Sequence, residues 1–281
     1  MDFSDPIPRR IACLQPSATA TLVRLGQLGR VAACTKWCRD VCPEITNSGA
    51  IVVSDSWSAK ADEILSCSPD LVIASVPYQM EALAQILKAG VPFIALAPKS
   101  LADIYADILL IARVVEVKDR GAVLVQEMQS AIEDVRSRAA RHSNGSRPRV
   151  FCEEWGKPVI HSQAWVAELI EAAGGEFVGT PGSKTTVDAI EAADPDVIIA
   201  SWCGVGDRVP LEKLVAQRRW QSLRAVRTGR VFCINDEYLN TPAHTLLAGL
   251  RALASAIHPE IFGETADGLR RISSVEQVVL T

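Results

Sequence analysis

Asp62-Glu63-Ile64-Leu65-Ser66-Cys67-Ser68-Pro69-Asp70-Leu71-Val72-Ile73-Ala74-Ser75 returns 126 residues later as Asp188-Ala189-Ile190-Glu191-Ala192-Ala193-Asp194-Pro195-Asp196-Val197-Ile198-Ile199-Ala200-Ser201. The two stretches align without a gap, and seven of the fourteen positions are identical. Each predicts a short amphipathic helix opening at its leading aspartate, whose carboxylate can accept from the orphan amides of a first turn. The proline then forbids continuation of the helix. The apolar run behind it suits a parallel strand covered by helices on both faces. Residues 75–78 and 201–204 therefore fall at carboxyl ends of strands, the edge where ligands bind in open parallel sheets.

Strand and helix patterns alternate around both copies, from a first strand at Arg10 to Leu14 to a late one at Arg230 to Ile234. Such alternation argues a doubly wound α/β architecture. Lys36 to Ser58 reads as a loop with a short extended piece at Ile51 to Val53. Asp119 to Arg141 carries one apolar stripe through Leu124, Met128, Ala131, Val135 and Ala139, a single helix on the order of 34 Å long. Thr241-Pro242 opens a last long helix with proline in its first turn. The expected organisation is an α/β unit at 9–117, a linking helix at 118–142, a second α/β unit at 148–262 and a polar tail at 263–281.

A net charge of -4 over 281 residues gives no electrostatic footprint for nucleic acid. No stretch reaches the roughly 18 apolar residues of a membrane span, so no membrane insertion is expected. The first ten residues lack the apolar core of a secretory signal, and the eight cysteines then read as reduced thiols. Both point to the cytoplasm.

Enzyme motifs are missing. The loop Gly179-Thr180-Pro181-Gly182-Ser183-Lys184-Thr185 fails the phosphate-loop spacing, no nucleophile elbow or dinucleotide fingerprint occurs, and the four histidines form no HExxH pair. No catalytic residue, resident metal or intrinsic cofactor is assigned. Cys34, Cys38 and Cys42, spaced C-x3-C-x3-C, leave open a thiol-bound metal, with free thiols as the plainer reading. Four of the six tryptophans, Trp37, Trp57, Trp155 and Trp202, fall near carboxyl ends of expected strands and could line a cleft for a large, flat, partly apolar ligand. Trp165 and Trp220 lie in helical patterns and read as core.

Leu14-Gln15-Pro16-Ser17, the Cys38 to Pro43 loop, Ser54 to Trp57, Glu154-Trp155, Ala172-Ala173-Gly174-Gly175, the two Pro-Asp strands and Gly229-Arg230-Val231-Phe232 together are a recognisable set. In these marks the chain resembles the helical-backbone substrate-binding proteins of ABC importers for cobalamin and ferric siderophores, and most closely the cobalamin-binding branch. The resemblance implies two α/β lobes with parallel sheets, one long backbone helix and a ligand between the lobes. It implies non-catalytic binding of a corrinoid carrying cobalt, with contacts from Trp37, Cys38, Trp57, Tyr78, Glu154, Trp155, Trp202, Cys203, Asp236, Tyr238 and His244. It also implies docking onto an ABC permease through one acid per lobe, Asp62 and Asp188, both of which can equally be helix caps. Another large chelate, a siderophore or a haem, is the alternative ligand; a protein-interaction module is a further one.

Overall fold

The computed structural model describes residues 7–54, 60–75, 80–142, 145 and 147–273. The chain divides into two compact units, Met1–Glu127 and Met128–Thr281.

Unit 1 contains β1 (Ile11–Cys13), α1 (Pro16–Arg24), β2 (Val31–Thr35), α2 (Lys36–Val41), β3 (Ile51–Val53), α3 (Ala61–Ser66), β4 (Leu71–Ser75), α4 (Met80–Lys88), β5 (Phe93–Leu96) and α5 (Leu101–Val114). Its five strands are all parallel, in the order β3-β2-β1-β4-β5. Val72, Ile73 and Ala74 have no exposed surface, which is why a run without polar alternation is stable there. One long helix, α6 (Lys118–His142), runs across the division between the units. In unit 1 it packs tightly on α5, since a side chain at Gly121 would meet Ala112 Cβ at 2.4 Å. In unit 2 the guanidinium of Arg138 lies 4.5 Å from the Phe262 ring centroid.

Unit 2 contains β6 (Arg149–Gly156), β7 (Val159–His161), α7 (Ala164–Ala172), β8 (Glu176–Phe177), β9 (Lys184–Thr185), α8 (Val187–Ala193), β10 (Val197–Ala200), α9 (Leu211–Arg218), α10 (Arg224–Arg227), β11 (Val231–Ile234), α11 (Glu237–Asn240), α12 (Leu246–Ile257), α13 (Pro259–Phe262) and β12 (Leu269–Arg271). Its sheet runs β12-β11-β10-β6-β7-β9, with β8 beside the start of β6. The sheet is mixed rather than wholly parallel. β6, β8, β9, β10 and β11 point one way, whereas β7 and β12 run against them, so that β7 pairs antiparallel with both β6 and β9. The hairpin β6–β7 and the polar tail, which supplies β12, account for the difference.

The repeated stretch forms helix, turn and buried strand in both units, with its aspartates redistributed. Asp62 and Asp188 are not the caps: Lys60 and Thr186 hold those positions, and the Thr186 hydroxyl accepts from Ala189 N at 3.2 Å. The two acids sit one residue inside, exposed in first turns that favour negative charge. The turn is made by left-handed residues, Ser68 (φ 48°) and Asp194 (φ 39°), directly before the prolines. The second aspartate of the motif does the locking. Asp70 accepts from the backbone amides of Arg9 (2.7 Å) and Arg10 (2.9 Å), and Asp196 from that of Arg149 (2.8 Å), each pinning the start of the neighbouring strand.

Two further expectations are corrected. The segment after β2 is not a plain loop: Thr35 caps α2 through its hydroxyl on Cys38 N at 3.3 Å, and a 3-10 turn at Pro43–Asn47 follows. The last long helix starts at Leu246 rather than at Pro242, because residues 237–240 form a separate turn, α11.

Candidate ligand-binding site

At the carboxyl edge of the unit 2 sheet, β6 brings Glu153, Glu154, Trp155 and Gly156, and the chain leaving β10 brings Ser201, Trp202 and Cys203. Parallel pairing sets Ala200 beside Glu153, so the two segments emerge together. Glu153 is fully buried and its carboxylate meets Arg218 of α9 in a two-pronged ion pair of 2.6 and 2.7 Å. Trp202 Nε1 donates to the same carboxylate at 3.1 Å. The Arg218 guanidinium also lies 4.8 Å from the Trp220 ring centroid, and Trp220 stands edge-on to Phe151 at 6.1 Å in the core. Trp202 is thus held at its nitrogen by a buried charge and supported on its face: a side chain at Gly156 would meet Trp202 Cζ2 at 2.7 Å. Glycine is required for that approach.

Around this pair opens a groove of about 990 Å³ whose walls include Trp155, Pro158, Trp202, Val205, Pro210 and Leu214. Trp155 is 44% exposed, with its ring nitrogen donating to Lys157 O at 2.9 Å. A large exposed indole fixed at its polar end is suited to stacking on a flat ring.

Next to the groove lies a polar cluster. Glu154 accepts from Gln163 Nε2 at 2.6 Å and from the Cys203 thiol at 3.7 Å. Burial holds the Glu154 carboxyl above its ordinary value, and burial together with Glu154 and Asp236 pushes the Cys203 thiol far up. The Cys203 thiol is therefore held in its protonated form. Asn240 donates to Ser201 O at 2.9 Å and to Cys203 Sγ at 3.3 Å. Asp236 accepts from the amides of Gly204 and Gly206, both at 2.7 Å, so it shapes the 201–207 loop from below.

Other expected contacts are distributed differently. Tyr238 donates to Asp267 at 2.6 Å, a bond that raises its hydroxyl to about 12, and so faces the tail strand. His244 is half-buried just before α12. In unit 1, Trp37 lies half-buried on α2 with Lys36 Nζ 4.3 Å from its ring centroid. Cys38 is corrected outright as a ligand contact: it has no exposed surface, and its thiol donates to Cys13 O at 3.4 Å. Cys34 and Cys42 are buried as well, and among the described residues no group of metal-ligating side chains could hold an ion. Trp57 and Tyr78 lie outside the described residues. At the unit 1 sheet edge, Ser75 Oγ donates to Gln15 Oε1 at 2.7 Å, closing the point where β1 and β4 diverge.

Glu153, Arg218, Lys157, Lys213 and Arg219 went unnoticed in the sequence. One signal was available: an acid at position 153 interrupts the apolar run of β6, and a buried carboxylate requires a cation.

Among known proteins, an uncharacterised ABC transporter substrate-binding lipoprotein of Bacillus subtilis (strain 168) is 24% identical over 267 residues, covering 92% of this chain and 82% of the relative. A cobalamin-binding protein of Halobacterium salinarum (strain R1) is 22% identical over 262 residues, covering 90% and 70%. The crystal structure of a periplasmic haem-binding protein from Pseudomonas aeruginosa superposes with a TM-score of 0.85 at 19% identity, covering 95% of this chain and 99% of that one. The cytoplasmic expectation is overturned by the lipoprotein relative and by the match to a family of periplasmic binding proteins, which point outside the cytoplasm. It rested on the composition of the first ten residues alone. No helix among the described residues is long and apolar enough to cross a membrane. Residues 11–238 match the family described as periplasmic binding protein, and with two α/β units and a long helix of the same build, the chain belongs to that family of substrate-binding proteins.

Proposed function

We propose that the protein binds a corrinoid, without catalysing a reaction on it, and delivers it to an ABC importer. The observation that carries this is the rigid indole pair, Trp202 locked to Glu153 and Trp155 exposed beside it, which offers apolar faces to a macrocycle. The neighbouring cluster suits the amide rim of a corrin. Glu154 can accept from an amide N–H, and Gln163 and Asn240 add amide groups. A cobalamin-binding protein among the relatives agrees with the reading.

Titration with cyanocobalamin, cobinamide and haem tests it, following tryptophan quenching and the ligands' visible bands. Quenching by the corrinoids at or below the order of 10 μM, and weaker quenching by haem, is expected. Silence with both corrinoids would remove the proposal, and tighter binding of haem would replace it with the other large chelate. Delivery rests on Asp62 and Asp188, exposed at equivalent places in the two units. Replacing both by Ala should abolish binding to membranes containing the cognate permease while leaving the titration unchanged.

A further inference from the structure

The unit 2 groove carries more positive charge than the stacking of a neutral ring requires. Lys157 enters it from the β6–β7 hairpin, Lys213 from α9 and Arg219 from the end of that helix, while no carboxylate lines it. Arg218 also lines the groove, but both its terminal nitrogens are taken by Glu153. The other three cations have no ion-pair partner among the described residues, and all three are exposed. Arg219 is moreover held in the left-handed region at φ 57°, a conformation that costs a non-glycine residue free energy and turns the chain at the groove's edge. Three uncompensated cations converge beside two tryptophans on a chain whose net charge is -4.

We infer that this groove reads carboxylate groups on the rim of the bound macrocycle, so that the protein selects acid-bearing corrinoids over fully amidated ones. The inference rests on the corrinoid reading above and names the ligand subclass. In the groove the indoles take the ring, and the ammonium and guanidinium groups at the edge donate charge-assisted hydrogen bonds to the carboxylates. An amide rim accepts hydrogen bonds from the same donors but brings no negative charge to pair with them. Because the three cations are exposed, the preference is salt-sensitive.

Cobyrinic acid and cobinamide test it, since they share the corrin ring and differ in carrying carboxylates or amides. Affinities are measured by tryptophan quenching at low salt and again at high salt. Expected is a preference for cobyrinic acid of about tenfold or more, shrinking with salt. In the triple variant K157A/K213A/R219A, shown folded by circular dichroism, the preference should collapse toward unity. Arg24→Ala, which removes an exposed cation of unit 1 paired with Glu127, should leave it intact. Equal affinities in the natural protein, or a preference that survives the triple variant, overturn the inference while the corrinoid reading stands. Failure of both corrinoids to bind overturns the corrinoid reading itself.

Discussion

The two copies of the repeated stretch are alike at one end and unlike at the other. At the amino end of each strand an aspartate after proline locks the neighbouring strand through backbone amides, Asp70 in unit 1 and Asp196 in unit 2. Past the carboxyl end the units part. Unit 1 places Ser75 against Gln15 and seals Cys13, Cys34 and Cys38 beneath its edge. Unit 2 places Trp202 over a buried ion pair and opens a groove beside it. The lesson is that the repeat preserves what registers the sheet, while in unit 2 the indole and the groove lie just beyond it.

The sharpest way to break the contrast is to remove the charge beneath Trp202. Arg218→Ala leaves Glu153 buried without a counter-charge, and the expected loss is about 3–5 kcal/mol of stability, read from urea unfolding. The double variant E153Q/R218M should recover most of it, because no charge is then stranded. A loss below about 1 kcal/mol for the single variant would mean that Glu153 is relieved by water and that Trp202 is not held as described.

The shared end should respond equally in both units. Asp70→Ala and Asp196→Ala each remove charge-assisted bonds to backbone amides, for an expected loss of about 1–2 kcal/mol. Asp196 also meets Arg224 at 2.7 Å, but that arginine is 60% exposed, so Arg224→Ala should cost less than about 1 kcal/mol. If the Asp196 effect proves several times the Asp70 effect, the equivalence of the two locks fails.

How much of this was legible in the sequence follows from the range of each interaction. Val197 to Ala200 announced a doubly covered strand because every position is apolar, and all four are fully buried. Pro195-Asp196 marked where that strand begins. The carboxylate's target could not be read, since the amide of Arg149 is 47 positions away and only sheet order brings it near. The same holds for Glu153 and Arg218, 65 positions apart. Local competition explains the misplaced caps: Thr186 has the extended backbone of a cap and a hydroxyl within reach of Ala189 N, which leaves Asp188 inside the helix. Trp202 and Trp155 were visible as aromatics beyond strands. That Trp202 is immobilised and Trp155 exposed depends on Gly156 and on a charge buried beneath them.

The smallest expected effect compares one acid in each unit whose proton is held more tightly in the fold than in the unfolded chain. In unit 1 burial, reinforced by Asp103, raises the Asp107 carboxyl from 3.8 to about 6; in unit 2 burial raises Glu154. A raised acid stabilises the fold least where it is ionised. Below its unfolded value Asp107 is neutral in both states and costs nothing. Between 3.8 and about 6 the unfolded chain releases the proton first, so stability falls with rising pH, and above that window the cost is constant. The full shift corresponds to about 3 kcal/mol, which solvent screening of this partly exposed group reduces to about 1 kcal/mol. Asp107→Asn should therefore raise stability by about that amount at pH 7 and leave it unchanged at pH 3.5, measured by chemical denaturation at both values. Glu154→Gln should show the same sign at neutral pH, but only Glu154→Gln should also alter the corrinoid titration, because of the two acids only Glu154 stands at the carboxyl edge of its sheet, where the proposed ligand would sit. Equal effects of the two variants on ligand binding would erase the distinction between the units.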